Sequence, residues 1–150
     1  PRDCCLSCFM QPFMLNQAMV NFLSLERSAR LYAAVMDLWL HYRSVLGLRW
    51  HETRYEDLVT DFETQARRLV HFAGLQWNDT VLRYFEHARQ RNVSTPSYSA
   101  IASPVYSRAI GRWKHYQAQL IPVVEILKPY LKKFNYGEKT DRLVYRNGGP

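Results

Sequence analysis

Apolar residues recur at three- and four-residue steps over most of the chain, the period of helices with one covered face. Residues 25–46 carry the strongest pattern, with Leu31, Val35, Leu38, Tyr42 and Val45 on one stripe. Ser24 is placed to cap that helix and Gly47 to stop it. Residues 3–10 read as the first turns of a helix, with Asp3 near its positive end and Pro12 soon after. Residues 49–55 alternate instead, Trp50, Glu52 and Arg54 against His51, Thr53 and Tyr55, which predicts a short strand. Thr60-Asp61-Phe62-Glu63 has the spacing of a capping box and opens a helix through Phe62, Ala66, Leu69 and Ala73, closed by Gly74. Asn78 is placed to cap the next, carried by Val81, Leu82, Phe85 and Ala88.

After Arg91 the pattern changes. Residues 92–107 are rich in Ser, Thr, Pro and Ala without a helical period, which predicts a long loop of the kind that binds something or moves. Helix resumes near Ser107, is interrupted near Pro122 and Pro129, and ends around Phe134 before Gly137. Residues 138–150 form a polar tail expected to fray. No repeat or linker divides the chain, so residues 1–137 are expected to form one domain.

Composition narrows the class. Hydrophobic residues make up 47% of the 150 and charged residues 22%, which excludes disorder, collagen and low-complexity character. Apolar runs such as residues 31–36 are too short to span a bilayer, and no charged leader with an apolar stretch opens the chain. Cys4, Cys5 and Cys8 are odd in number and crowded, unlike a disulfide framework, so a reducing, cytoplasmic location is expected and no membrane partner. The net charge is +7, and residues 101–150 hold nine Lys and Arg against three Asp and Glu. That excess fits an anionic partner, and it fits solvated lysines on the last helix equally well.

Most familiar chemistry is missing. Cys5 and Cys8 have the spacing of a redox pair or half a zinc site, but no second pair completes four ligands, so buried structural thiols are expected and no metal. His41, His51, His71, His87 and His115 stand singly, and His51-Glu52 lacks the second histidine of a zincin. The six glycines form no phosphate-cradling loop. What remains is scattered. Ser7 offers a hydroxyl on the first turns of a helix, where backbone donors favour an anion. Residues 54–59 (RYEDLV) leave the predicted strand for a helix. Residues 94–99 (STPSYS) offer several hydroxyls ahead of Arg108 and of Gly111-Arg112-Trp113-Lys114. Hydroxyls with Arg and Lys around an aromatic suit phosphate clamping and purine stacking.

Four stretches in this order resemble the nucleotide-dependent sulfotransferases. They are residues 1–9 (PRDCCLSCF), 54–59 (RYEDLV), 74–78 (GLQWN), and 93–97 (VSTPS) running through 104–106 (PVY) to 111–113 (GRW). The closest likeness is to the bacterial sulfotransferases linked to tetratricopeptide repeats, and beside them to the tyrosylprotein sulfotransferases. The resemblance implies an α/β parent fold, P-loop-like, with a central parallel sheet, of which this portion is mainly helical with one or two short strands. It implies 3′-phosphoadenosine 5′-phosphosulfate (PAPS) as sulfuryl donor and a hydroxyl acceptor, protein or small molecule. By the same likeness Ser7 binds the 3′-phosphate, Tyr55 contacts the nucleotide, and Ser97 and Arg112 close over the donor.

The chain also departs from the pattern. The arginine that relatives carry eight residues before the serine would precede Pro1. Gln11 stands where tyrosylprotein enzymes have arginine, and Ala100 and Ala102 where bacterial relatives have Gln and Arg. The family's phosphosulfate loop, first strand and catalytic base all precede the serine helix, so no catalytic residue is named. The expectation is a C-terminal part of a sulfotransferase, inactive without the N-terminal half of the same domain. Two other classes stay open: a basic helical module that binds nucleic acid, and a non-catalytic protein-interaction domain.

Overall fold

A computed structural model describes residues 1–90 and 102–137 of the chain. Its helices are α1 (Arg2–Met10), α2 (Leu25–Val45), α3 (Tyr55–Thr60), α4 (Phe62–Phe72), α5 (Tyr84–Gln90), α6 (Gln117–Leu120) and α7 (Val124–Lys133), joined in places by 3-10 turns. The described residues hold no strand. The chain packs as two compact units, one formed by Pro1–Gly47 with the segment from Gly111 onward, the other by Leu48–Ile110.

In the first unit α2 is the spine. Ser24 is extended (φ −139°, ψ 136°) and its Oγ accepts from the Arg27 N–H at 3.4 Å, the cap expected from its position. The helix ends where Leu46 returns to extended backbone (φ −106°, ψ 134°), one residue before Gly47. The covered face differs from the expected one. Val35, Leu38, Tyr42 and Val45 are each about half exposed, whereas Ser28 and Ala29 are fully buried. Small residues let helices approach closely, and α1 and α7 pack on that side. The core joins Cys5 of α1, Ala29 of α2, and Leu120, Val123 and Leu127 from α6 to α7, with Leu25, Tyr32, Trp113 and Ile126 around it. Tyr32 meets Tyr130 edge-on at 5.7 Å, and the Tyr130 hydroxyl donates to the Ala33 carbonyl at 3.2 Å. Burial, with a hydrogen bond to Asp37 next in weight, pushes the Tyr130 phenol up to about 12.

Pro122 falls in the 3-10 turn Ile121–Val123 and breaks the path from α6 to α7. Pro129 does not: it lies inside α7, which runs on to Lys133. The end of α7 is set by Asn135 rather than Gly137. Asn135 takes the left-handed conformation (φ 56°), its N–H bonds the Lys132 carbonyl, and the Tyr136 N–H bonds the Leu131 carbonyl.

The second unit corrects the expected strand. Residues 48–54 take no regular structure. An isolated extended segment leaves its backbone donors unpaired, and alternation alone supplies no neighbour. Helix α3 starts at Tyr55 with Glu56 and Asp57 in its first turn. The cap of α4 lies one residue later than the capping box implied: Asp61 accepts from the Thr64 N–H, while the Thr60 hydroxyl donates back to the Glu56 carbonyl at 2.8 Å. Gly74 ends α4 at φ 73°, its N–H on the His71 carbonyl and the Leu75 N–H on the Val70 carbonyl. Asn78 accepts from the Thr80 N–H at 2.9 Å, as its position implied, and opens a 3-10 turn that leads into α5. Ring contacts hold the unit, Phe62 with Tyr84 and His51 with Phe72. Among the described residues no helix is long and apolar enough to cross a membrane.

Candidate functional site

The first helix and the turn after Gly111 are fastened together by one carboxylate. Asp3 stands in the first turn of α1, and its two oxygens accept from the Gly111 N–H (2.8 Å) and the Trp113 N–H (2.7 Å). Those two amides open the 3-10 turn Arg112–Tyr116, so Asp3 caps a second element from 108 residues away in sequence. Gly111 permits the bend because its backbone is left-handed (φ 68°), a region costly for residues with a Cβ. The guanidinium of Arg2 lies 3.4 Å from the centre of the Trp113 ring and closes the same contact from outside.

This arrangement places two of the four expected donor-side residues in one packed body. Ser7 is exposed on the second turn of α1, four residues beyond Asp3. Arg112 is exposed between the two amides that Asp3 holds. Neither the Ser7 hydroxyl nor the Arg112 guanidinium is taken up by another described residue. Tyr55 belongs to the second unit, at the start of α3, where its hydroxyl donates to the Tyr106 carbonyl at 3.5 Å. The Arg108 guanidinium lies 4.3 Å from the centre of the Tyr106 ring in that same unit. Ser97, like Ala100, lies outside the described residues.

The thiols are arranged otherwise than their spacing implied. Cys5 is buried in the core, and burial pushes its thiol up to about 12. Cys8 does not pair with it. Cys8 instead has Cys4, the exposed member of the three, as its neighbour one turn earlier on α1. The interaction of the two thiols lowers the pKa of Cys4 from its ordinary value, against some burial, and raises that of Cys8. Among the described residues no three His, Cys, Asp or Glu gather where they could hold a metal. His51, half-buried, stacks on Phe72 at 5.4 Å with its Nε2 buried and unbonded, beside an exposed Glu52.

The segment that carries α1, α2, α3 and α4 matches a known family. Residues 1–79 match the Sulfotransferase family. The chain belongs to the sulfotransferase family. A further relative is an uncharacterized protein of Aquifex aeolicus (strain VF5), 30% identical over 102 residues, which is 68% of this chain and 13% of that protein. The chain therefore spans a small part of that relative's length. No solved structure matches it. The link that Asp3 and Arg2 make between α1 and the turn after Gly111 was not foreseen from the sequence. Asp3 looked like an ordinary dipole partner at a helix start, and nothing local could reveal amides more than 100 residues away.

Proposed function

We propose that this chain is the C-terminal part of a PAPS-dependent sulfotransferase domain, residues 1–137, and that it supplies part of the clamp on the nucleotide donor. The observation that carries the reading is the Asp3 carboxylate bonded to both Gly111 and Trp113, because it makes Arg112 part of the same body as the helix of Ser7. The Ser7 hydroxyl would donate to the 3′-phosphate, and Arg112 would offer a forked pair of N–H donors to phosphate oxygens. Tyr55 and Ser97 are assigned to the nucleotide and its covering loop by family likeness, nearest the repeat-linked bacterial and tyrosylprotein members. The parent fold is read as α/β with a central parallel sheet contributed by the N-terminal half.

In the reaction, an acceptor hydroxyl oxygen attacks the sulfur of PAPS in line, the sulfur–oxygen bond to the phosphate breaks, and adenosine 3′,5′-bisphosphate leaves. The acceptor proton passes to a base that no residue of this chain is assigned to provide. What these residues contribute is position and charge. The half-exposed Val35, Leu38, Tyr42 and Val45 stripe of α2 is surface that the rest of the domain would cover. Three free thiols within five residues suit the reducing cytoplasm.

Calorimetry with adenosine 3′,5′-bisphosphate, on the chain and on a longer form restoring the preceding segment, tests this. Binding should exceed that of adenosine 5′-monophosphate, and Ser7→Ala or Arg112→Ala should each weaken it about 10-fold or more, the worth of a hydrogen bond to a charged group. Heats unchanged by both substitutions would remove both residues from the donor site.

A further inference from the structure

We propose that the open apolar pocket at the end of α1 holds the body of the sulfuryl acceptor, and that this acceptor is a small neutral alcohol or phenol. The acceptor role rests on the donor reading given above, whereas the pocket stands on its own geometry.

The pocket has a volume of about 340 Å³, at the small end of the roughly 300–1,000 Å³ of ligand sites. Its lining comes from the first unit, between the last turns of α1 and the start of α2. Phe13 and Phe22 both line it, and their rings lie 5.2 Å apart. Leu15 and Leu23 line it while still 65% and 61% exposed, so the cavity opens to solvent through apolar surface. The segment keeps this shape by spending its own polar groups on backbone. The Asn16 side chain accepts from the Ala18 and Met19 N–H groups, both at 2.9 Å, and the Asn21 amide donates to the Ala18 carbonyl at 3.0 Å. The buried Ser28 hydroxyl of α2 lies 3.4 Å from the Asn21 carbonyl and ties the segment down. A pocket formed in advance binds without first ordering a loop.

What the lining lacks decides the occupant. No Asp, Glu, Lys, Arg or His occurs between Asp3 and Glu26. An acidic peptide needs cations, and a sugar needs many polar partners, or their desolvation goes uncompensated. The polar side chain of the lining is Gln11, the C-cap of α1, four residues beyond Ser7. Its amide is taken up by no other described residue. An apolar body with one hydroxyl matches that inventory, the rings and aliphatic chains covering the first and the amide bonding the second. In turnover the acceptor oxygen forms the new bond to the sulfur of PAPS and the sulfur–oxygen bond to the phosphate breaks. Adenosine 3′,5′-bisphosphate leaves, and the acceptor proton passes to the base that stands outside the assigned residues.

The probe is 2-naphthol, followed by its fluorescence, on this chain and on the longer form that restores the preceding segment. Both should bind it about 2–10-fold tighter than naphthalene, the worth of one neutral hydrogen bond. That preference should vanish in Gln11→Ala. Leu15→Asp and Leu23→Asp alter exposed positions that the fold tolerates, and each should weaken naphthol about tenfold or more by setting a charge against an apolar ligand. With PAPS the longer form should yield naphthyl sulfate, and Leu23→Asp should raise KM while kcat holds. Naphthol binding unmoved by both substitutions, or a short acidic tyrosine peptide bound more tightly than naphthol, would overturn the pocket. So would binding by this chain that is lost in the longer form, since the preceding segment would then be the occupant. A preference for naphthol that survives Gln11→Ala would remove the amide from the site. A longer form that binds both naphthol and adenosine 3′,5′-bisphosphate yet transfers nothing would overturn the acceptor role. If it binds no bisphosphate, the donor reading fails and the acceptor role with it, while the naphthol titrations still decide the pocket.

Discussion

Asp3 shows how one residue can serve two elements. As an acidic side chain in the first turn of α1 it complements the helix dipole, and that much was legible in the sequence. Its main partners are the Gly111 and Trp113 amides, and a carboxylate accepting two backbone N–H groups makes charge-assisted bonds stronger than neutral ones. Removing it leaves both donors without their acceptor. Asp3→Ala should lower stability by about 2–4 kcal/mol and Asp3→Asn by less, since the amide keeps one acceptor oxygen. Urea unfolding followed by Trp fluorescence measures this, and equal, near-zero losses in both variants would show that the contact contributes nothing. Cys4 is the opposite case. Its sequence context pointed to Cys5 with Cys8, yet Cys5 is buried in the core while Cys4, one turn before Cys8 on α1, is exposed.

At the scale of elements, ends were easier to foresee than faces. Ser24 and Asn78 cap the helices they precede, because a cap needs only a short acceptor side chain and an amide two or three residues on. The two left-handed helix ends offer a paired test. Gly74 (φ 73°) has open space where a Cβ would go, so Gly74→Ala should cost only the backbone strain, about 1–2 kcal/mol. Asn135 (φ 56°) holds the same kind of position at the end of α7, so Asn135→Gly should stabilise by up to about 1 kcal/mol. Thermal unfolding reads both, and a change of the same sign in the two variants would contradict the shared explanation. The strand expected at residues 49–55 failed for the complementary reason: a helix satisfies its own backbone, whereas a strand must borrow a neighbour.

For the whole molecule, the basic last third is where the rival reading as a nucleic-acid module meets the structure. Lys132 and Lys133 sit in the last turn of α7, where free carbonyls favour cations, and Lys128 lies beside Glu125. A defined bisphosphate site should therefore lose less than about tenfold in affinity between 50 and 200 mM salt, whereas contact with six or more phosphates of a duplex would cost about a thousandfold. Titrating both ligands across that range separates the readings, and a steep loss for a short duplex bound tighter than the bisphosphate would favour the rival. The sequence by itself determined where most helices begin and end, the break at Pro122, the absence of a glycine-rich cradle, and the order of stretches that marks the family, because each depends on residues within a turn or two of one another. Tertiary packing decided which face of α2 is buried, that Cys5 of the three thiols enters the core, and that Arg112 is tied to the helix of Ser7. Those outcomes depend on surfaces brought together across up to 110 residues of chain, and neither hydrophobic period nor local capping chemistry carries information over that distance.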